Sequence, residues 1–110
     1  MAKIRVAVLF GGKSNEHSIS VATASGVLSA IDSSKYEVVP VGITREGVFV
    51  PFVGDPATLS LANGLKTIEP AGSTIRFAMD GSRELFEIDP QGNQRSIGVI
   101  DVVMPLLHGP

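Results

Sequence analysis

A carboxylate and an imidazole follow a pair of glycines near the start of the chain, and these side chains are the best suited to chemistry. Glu16 and His17 come directly after residues 11–15, which read Gly-Gly-Lys-Ser-Asn. A carboxylate beside the start of a helix is poorly suited to binding phosphate directly, but it can hold a cation such as a substrate ammonium. The alternative is a solvent-exposed glutamate that the helix dipole favours in the first turn. The local chemistry therefore favours binding of an amine by Glu16.

The residues around the glycine pair predict a strand, a tight turn and a helix. Residues 4–10 form a compact run of β-branched and large apolar residues, as in a short buried strand. Gly11 and Gly12, hereafter the glycine turn, lack a Cβ, so the backbone can take positive φ and a ligand can approach the main chain closely. In open α/β sheets, ligands bind at the carboxyl ends of the strands. We therefore expect the glycine turn and Glu16 to lie at a ligand-binding edge of a sheet.

The helix beyond the glycine turn has two candidate caps. It should begin between Ser14 and Ile19, and Ser14 and Ser18 are both chemically able to cap it. The residues expected to cover the sheet recur at spacings of three and four, namely Ile19, Ala22 or Thr23, Gly26 or Val27, and Ala30 or Ile31. Gly26 on this face suggests close packing of the helix against the first strand.

Two common nucleotide-binding motifs are absent from the glycine turn. Gly12-Lys13-Ser14 superficially resembles the end of a Walker A loop, but that loop needs a glycine where Ala7 stands inside the strand. A dinucleotide fingerprint that starts at Gly11 needs glycines at its third and sixth positions, which here are lysine and glutamate. Neither motif therefore assigns a nucleotide to this turn.

Metal binding and nucleophilic catalysis also find little support in the sequence. Glu16 and His17 are consecutive and point in different directions from a helix start, and no pair among Glu16 and the two histidines has i, i+4 spacing. Ser14, Ser18 and Ser20 have no base at a readable spacing, so we interpret them as caps and turn formers. The sequence has no cysteine, which excludes disulfides and thiolate sites. We expect no metal site in this chain.

Composition indicates one soluble domain, residues 1–110. The chain is 44% hydrophobic and 18% charged. Its formal net charge of −2 does not indicate the basic surface that nucleic-acid binding requires. The N-terminal apolar run ends at Phe10, too short to span a membrane, and no small-residue cleavage site follows it. We therefore expect no membrane association and no export, and the absence of cysteine is compatible with a cytosolic protein.

A second strand and a hairpin are predicted after the helix. Residues 37–43 predict a strand parallel to the first one, because a helix separates the two. Pro40 cannot donate to a ladder, so this strand should lie at an edge or carry a local irregularity. Residues 44–47 predict a hairpin turn into a strand at residues 48–50.

The second half of the chain predicts a short helix, a peripheral hairpin and a last buried strand. Asp55 is the expected N-cap of the short helix, which Gly64 would end. Residues 74–79 and 84–88 predict peripheral antiparallel strands joined by an Asp-Gly turn. Residues 97–107 form the last strong apolar run, with the character of a strand buried on both faces.

Two segments of the sequence resemble the D-alanine:D-alanine ligases of the ATP-grasp superfamily. Residues 8–20, Val-Leu-Phe-Gly-Gly-Lys-Ser-Asn-Glu-His-Ser-Ile-Ser, resemble the amino-terminal signature of these ligases. Residues 101–110, Asp-Val-Val-Met-Pro-Leu-Leu-His-Gly-Pro, resemble their second signature. The two segments occur in the expected order. The resemblance implies an α/β fold, a three-layer, Rossmann-like pre-ATP-grasp domain with a mostly parallel sheet and an added antiparallel hairpin.

The resemblance also implies roles for particular residues. Glu16, the predicted catalytic residue, matches the glutamate that binds the ammonium of the first D-alanine and helps to hold an active-site loop closed. His108 falls beside the first D-alanine subsite, and it reaches the same sheet edge as Glu16 if their two strands are parallel neighbours. The alternative for His108 is a histidine that caps backbone groups at a strand end. Gly11 and Gly12 complete the predicted substrate-binding set.

The implied reaction is the ATP-dependent joining of two D-alanines through an acylphosphate, for peptidoglycan precursor synthesis in a bacterial cytoplasm. ATP and Mg²⁺ (or Mn²⁺) would bind in the central and C-terminal ATP-grasp domains of the family, so this chain alone should bind no cofactor and should not catalyse. The implied partners are D-alanine, those ATP-grasp domains and a second copy in a homodimer. The alternatives are a stand-alone nucleotide- or phosphate-binding module and a dimerisation module of the same fold.

Overall fold

A computed structural model of the chain describes residues 3–13, 17–52, 56–59, 67–70 and 72–106. Within these ranges the elements occur in the order β1 (Ile4–Gly11), α1 (His17–Ala30), β2 (Tyr36–Ile43), β3 (Phe49–Pro51), a 3-10 helix (Pro56–Leu59), β4 (Thr74–Phe77), β5 (Glu84–Ile88), β6 (Gln94–Val99) and β7 (Val102–Pro105). The 3-10 helix falls inside the predicted short helix, whose expected cap Asp55 lies outside the described residues. Neither described helix has the length and apolarity needed to cross a membrane.

β1 is central in a four-stranded sheet with the strand order β3-β2-β1-β7. It pairs in parallel with β2 on one side and with β7 on the other, whereas β3 pairs antiparallel to β2. Ala7, Val8 and Phe10 have no exposed surface, which explains why β1 is apolar on both faces. The predicted parallel second strand and the predicted hairpin into β3 are confirmed.

Pro40 shows how β2 accommodates a residue without a backbone donor. The predicted edge position is wrong for the strand as a whole, because β1 and β3 flank it. However, β3 pairs only with residues 41–43, and the Pro40 carbonyl accepts a hydrogen bond from the Phe52 N–H, just beyond β3, at 3.3 Å. The nitrogen and the carbonyl of Pro40 both face the β3 side of the strand. Because the paired residues of β3 do not extend to Pro40, the lack of an N–H at this position breaks no hydrogen bond between β2 and β3.

A separate antiparallel sheet contains β4, β5 and β6 in that order. The predicted hairpin is confirmed as β4 and β5. These strands are not peripheral, however, because Leu85 is fully buried and Ile75 is 8% exposed. Their apolar side chains face the four-stranded sheet and form part of a core.

The prediction of one strand over residues 97–107 is wrong. The chain completes β6 in the antiparallel sheet at Val99 and enters the four-stranded sheet with β7 at Val102. Asp101 makes this crossing possible, because its N–H donates to the Arg5 carbonyl at 2.9 Å and its carboxylate accepts from the Arg5 N–H at 2.8 Å. Asp101, which lies between the apolar pairs Val99-Ile100 and Val102-Val103, therefore divides the apolar run into two strands.

Apolar clusters lie on opposite faces of the four-stranded sheet. On one face α1 packs over the sheet, in a cluster that includes Val6, Val8, Phe10, Val21 and Ala24. On the other face the antiparallel sheet packs over it, in a cluster that includes Ala7, Leu9, Ile43, Ile75, Leu85 and Ile100. The chain thus forms three layers, namely a helix, a mostly parallel sheet and an antiparallel sheet, and the predicted α/β class is confirmed.

The buried face of α1 differs from the predicted one. Its buried residues are His17, Ser20, Val21, Ala24 and Ser25. Ile19 is 44% exposed and Gly26 is exposed, so Gly26 does not mediate close packing. The apolar pattern pointed to the wrong face because three of the five buried side chains are polar. The helix begins at His17, so Ser18 lies inside it and is not its N-cap, whereas Ser14 lies outside the described residues.

β7 is an exposed strand, contrary to the prediction that this segment is buried on both faces. Val102, Val103 and Met104 are 48%, 46% and 37% exposed. Among the described strands only β1 pairs with β7, so β7 forms an edge of the sheet.

Gly26 provides a test of the helix assignment. An added Cβ at Gly26 would meet no atom within 4 Å, and replacing a glycine by alanine inside a helix stabilises it by about 0.5–1 kcal/mol. We expect Gly26→Ala to raise the free energy of unfolding by that amount in urea denaturation.

Gly98→Ala is a control for which we expect a change of stability in the opposite direction. Gly98 has a φ of 97°, and a Cβ there would overlap the Arg5 guanidinium. That guanidinium is held by Glu37 at 2.8 Å and by the Val99 carbonyl at 3.0 Å. Gly98→Ala should therefore lower the free energy of unfolding, and a shift of the same sign for both variants would contradict these assignments.

The pH dependence of stability tests the role of Asp89 in the turn between β5 and β6. Its carboxylate accepts hydrogen bonds from the N–H groups of Asn93 and Gln91 at 2.8 and 3.0 Å, and the Asn93 N–H is the largest cause that lowers the pKa of Asp89 below its ordinary value. Because the unfolded chain binds this proton more readily, the stabilisation is present above about pH 4 and is lost as the pH falls through the folded-state pKa. We expect the free energy of unfolding of Asp89→Asn to fall less between pH 6 and pH 3 than that of the parent chain, as measured by urea denaturation at each pH. The same pH dependence in both proteins would contradict this role of Asp89.

Candidate functional site

The carboxyl ends of β1 and β7 lie side by side at one rim of the four-stranded sheet. Leu9 is paired with Pro105 in the parallel register, and the Leu106 N–H donates to the Leu9 carbonyl at 2.8 Å. The condition for bringing Glu16 and His108 to the same edge, parallel neighbouring strands, is therefore met. Both residues lie outside the described ranges, so their contact stays a prediction.

The glycine turn packs against the end of β2. Gly11 and Gly12 are buried and have φ values of 101° and 98°. The Gly12 N–H donates to the Ile43 carbonyl at 2.9 Å, and a Cβ on Gly11 would overlap that same carbonyl oxygen. Glycine is thus required at position 11 so that two backbone segments can approach each other closely.

The amides of the glycine turn already have protein partners. The Gly11 N–H donates to the Ser20 hydroxyl at 2.9 Å, and the Gly12 N–H donates to Ile43. Phosphate-binding loops rely on backbone N–H groups that point at the ligand. The described part of this turn therefore does not fit a nucleotide phosphate, and its predicted contact with a substrate stays a prediction.

His17 is a buried bridge between the glycine turn and residues 67–70. It has no exposed surface. Its Nε2 accepts from the Ile68 N–H at 2.8 Å, and its Nδ1 lies 2.7 Å from the Gly12 carbonyl. Since the Ile68 N–H can only donate and the Gly12 carbonyl can only accept, the ring is neutral with its proton on Nδ1. Both ring nitrogens are used, so His17 has no nitrogen left for a metal.

Ser20 joins the ends of the two strands. It is fully buried on α1, accepts from the Gly11 N–H and donates a short hydrogen bond to the Leu106 carbonyl. The interpretation of Ser20 as a cap or turn former is therefore wrong. One signal for both buried polar residues was present in the sequence, since His17 and Ser20 occupy positions i and i+3 and share a helix face with Val21 and Ala24.

The β2–β3 hairpin adds polar groups to the same rim. Thr44 is buried, and its hydroxyl accepts from the Val48 N–H at 3.1 Å. The exposed Lys13 extends its side chain over Gly47, which gives the rim a positive charge. In the described part of the chain no three His, Cys, Asp or Glu side chains lie together as a metal site would require.

Together these features define an α/β domain in which buried polar side chains hold the carboxyl ends of two parallel strands together. The chain belongs to the family described as the D-ala D-ala ligase N-terminus, whose model matches residues 5–110.

Named relatives and solved structures agree with this membership. The chain is 47% identical over 111 residues to a D-alanine–D-alanine ligase of Arthrobacter sp. (strain FB24), and 45% identical over 108 residues to one of Paenarthrobacter aurescens (strain TC1). These matches cover 99% and 96% of this chain but only 29% of each relative. The crystal structure of the VanG D-Ala:D-Ser ligase from Enterococcus faecalis superposes with a TM-score of 0.74 at 27% identity, over 97% of this chain and 29% of that one. The D-alanine-D-alanine ligase from Coxiella burnetii has the same fold, with a TM-score of 0.66 at 22% identity over 98% of this chain and 29% of that one.

Removal of the His17 imidazole tests its bridging role. His17→Ala leaves a cavity and two buried backbone groups without partners, so we expect the free energy of unfolding to fall by about 3 kcal/mol or more. Ile19→Ala, on the exposed side of the same helix, should change it by about 0.5 kcal/mol or less. Chemical denaturation measures both variants, and a similar small loss in each would rule out the bridge.

Proposed function

We propose that residues 1–110 are the N-terminal, substrate-positioning domain of an ATP-dependent D-alanine:D-alanine ligase. The observation that carries this proposal is the hydrogen-bonded rim, where Ser20 links the strand that leads to Glu16 with the strand that leads to His108. Membership of the family and the similarity to D-alanine–D-alanine ligases support it.

Glu16 has the charge needed to bind the ammonium of the first D-alanine. It directly precedes α1, whose first residue is His17, and the glycine turn before it is held by β2 and α1. A carboxylate delivered by such a fixed turn places the ammonium at a defined position and directs the carboxylate of the amino acid toward the reaction centre. His108, two residues beyond Leu106, would hydrogen-bond the substrate or its neighbours, and Gly11 and Gly12 would shape the floor of this subsite.

The reaction under this proposal is the formation of D-alanyl-D-alanine for peptidoglycan precursors in the bacterial cytoplasm. ATP with Mg²⁺ or Mn²⁺, bound in ATP-grasp domains beyond these residues, supplies the phosphoryl group for an acylphosphate that the amine of the second D-alanine attacks. The protein acts as a homodimer. The glycine turn is consistent with nucleotide binding outside this domain, because its N–H groups are hydrogen-bonded to Ser20 and Ile43 and do not point at a phosphate site. The same observation disfavours a stand-alone phosphate-binding module.

Neutralisation of Glu16 tests the proposal in the full-length ligase that carries this domain. Glu16→Gln keeps the shape of the side chain and removes the charge that pairs with the ammonium. A hydrogen bond to a charged group contributes about 1.5–3 kcal/mol, so KM for the first D-alanine should rise by about tenfold or more. Steady-state kinetics that separate the two D-alanine subsites provide the measurement.

Glu46→Gln is the matched control for this variant. Glu46 is an exposed glutamate of the β2–β3 hairpin, so its neutralisation removes the same charge from the same rim without touching the predicted ammonium site. It should change KM by less than about twofold. Equal effects of the two substitutions would show that general charge, and not a contact with the substrate, explains the result.

A further inference from the structure

We propose that Ser20 is a positioning residue that sets the separation between the glycine turn and the end of β7, and thereby the placement of Glu16 relative to His108. The inference rests on the proposed function and extends it to a residue that contacts no substrate. Three segments converge on this one hydroxyl, namely the glycine turn, α1 and the residue that follows β7.

The hydrogen-bond directions at Ser20 are determined by its partners. The Gly11 N–H can only donate, so the Ser20 oxygen accepts from it at 2.9 Å. The Leu106 carbonyl can only accept, so the single hydroxyl proton of Ser20 is directed to it. The Ser20 side chain is fully buried and Leu106 is half-buried. The hydroxyl therefore has one arrangement that satisfies both strands.

Ser20 acts where the direct backbone pairing of the two strands stops. The register of β1 with β7 ends at Leu9 and Pro105, followed by the hydrogen bond from the Leu106 N–H to Leu9. Beyond this point the Ser20 hydroxyl bridges Gly11 to the Leu106 carbonyl. Since Gly11 precedes Glu16 by five residues and Leu106 precedes His108 by two, Ser20 is the described side chain that connects the two predicted substrate-binding segments.

Loss of the hydroxyl should therefore affect substrate binding as well as stability. Without it the buried Gly11 N–H and the half-buried Leu106 carbonyl lose this hydrogen-bond partner, which is costly. The strand ends can relieve this cost by moving apart, and the same movement separates Glu16 from His108. Displacements of about 1 Å in a positioning group are enough to reduce catalysis substantially.

Ser20→Ala in the full-length ligase is the central variant, and Ser25→Ala is its matched control. Ser25 is also a buried serine of α1, 5% exposed, and it lies five residues farther along the helix. We expect Ser20→Ala to raise KM for the first D-alanine at least fivefold, whereas Ser25→Ala changes it less than twofold. Both are measured at a temperature where circular dichroism shows each variant fully folded. A KM for Ser20→Ala within twofold of the parent would overturn the inference.

A double-mutant cycle shows whether Ser20 acts through Glu16. In the Glu16→Gln background the ammonium contact is already lost, so Ser20→Ala should raise KM less than twofold further. A full fivefold effect in that background would refute positioning of Glu16 by Ser20. If Ser20→Ala does not fold, Ser20→Cys keeps a similar volume with a weaker donor and is judged by the same thresholds.

The same measurements distinguish the failure of this inference from failure of the proposed function. A parent enzyme that does not join D-alanine, or a Glu16→Gln variant with unchanged KM, would overturn the proposed function and this inference with it. An active parent and an impaired Glu16→Gln variant, together with an unaffected Ser20→Ala variant, would overturn the positioning role alone.

Discussion

The close approach of the glycine turn to the end of β2 is the constraint from which the architecture of the rim follows. A side chain at Gly11 would overlap the Ile43 carbonyl, so the turn is compact only with glycine there. α1 begins six residues after β1 ends, and His17 and Ser20 at its start are fully buried. The backbone groups around them need partners, and the side chains of His17 and Ser20 provide these. The polar residues at the start of α1 thus satisfy backbone groups that meet at this rim.

The comparison with ligase structures shows how far the fold alone can explain function. A D-Ala:D-Ser ligase and a D-alanine-D-alanine ligase both superpose on this chain, at 27% and 22% identity. Proteins named for different second substrates therefore share this architecture, and each has about 70% of its length outside the superposed part. A shared fold does not by itself determine function, so substrate choice requires further residues.

The sequence predicted those features that depend on local chemistry. The apolar run before the glycine turn, the helix after it and the Gly-containing hairpins all appear in the structure, because strand burial and turn conformation follow from neighbouring residues. The spacing of apolar residues did not predict the buried face of α1, because His17 and Ser20 are buried through hydrogen bonds to distant backbone groups. The division between β6 and β7 was missed for the same reason, since Asp101 is satisfied by Arg5, 96 positions away. Of the candidate site, the neighbouring strand ends could be inferred, whereas the hydrogen bond by which Ser20 joins them, to a residue 86 positions away, could not.

The exposed edge of β7 has a consequence for handling the chain by itself. Among the described strands it has a partner on one side only, and its residues Val102, Val103 and Met104 carry no charge that would discourage another strand from pairing there. Natural sheets protect such edges with lysine, proline, bulges, short strands or a covering segment, since an open apolar edge is a template for intermolecular cross-β aggregation. β7 has only four residues and ends in Pro105, so its unprotected part is Val102–Met104. If a preparation of the 110 residues alone aggregates, we expect it to do so through this strand, so solubilising substitutions belong on β7 and not on the well-packed β1.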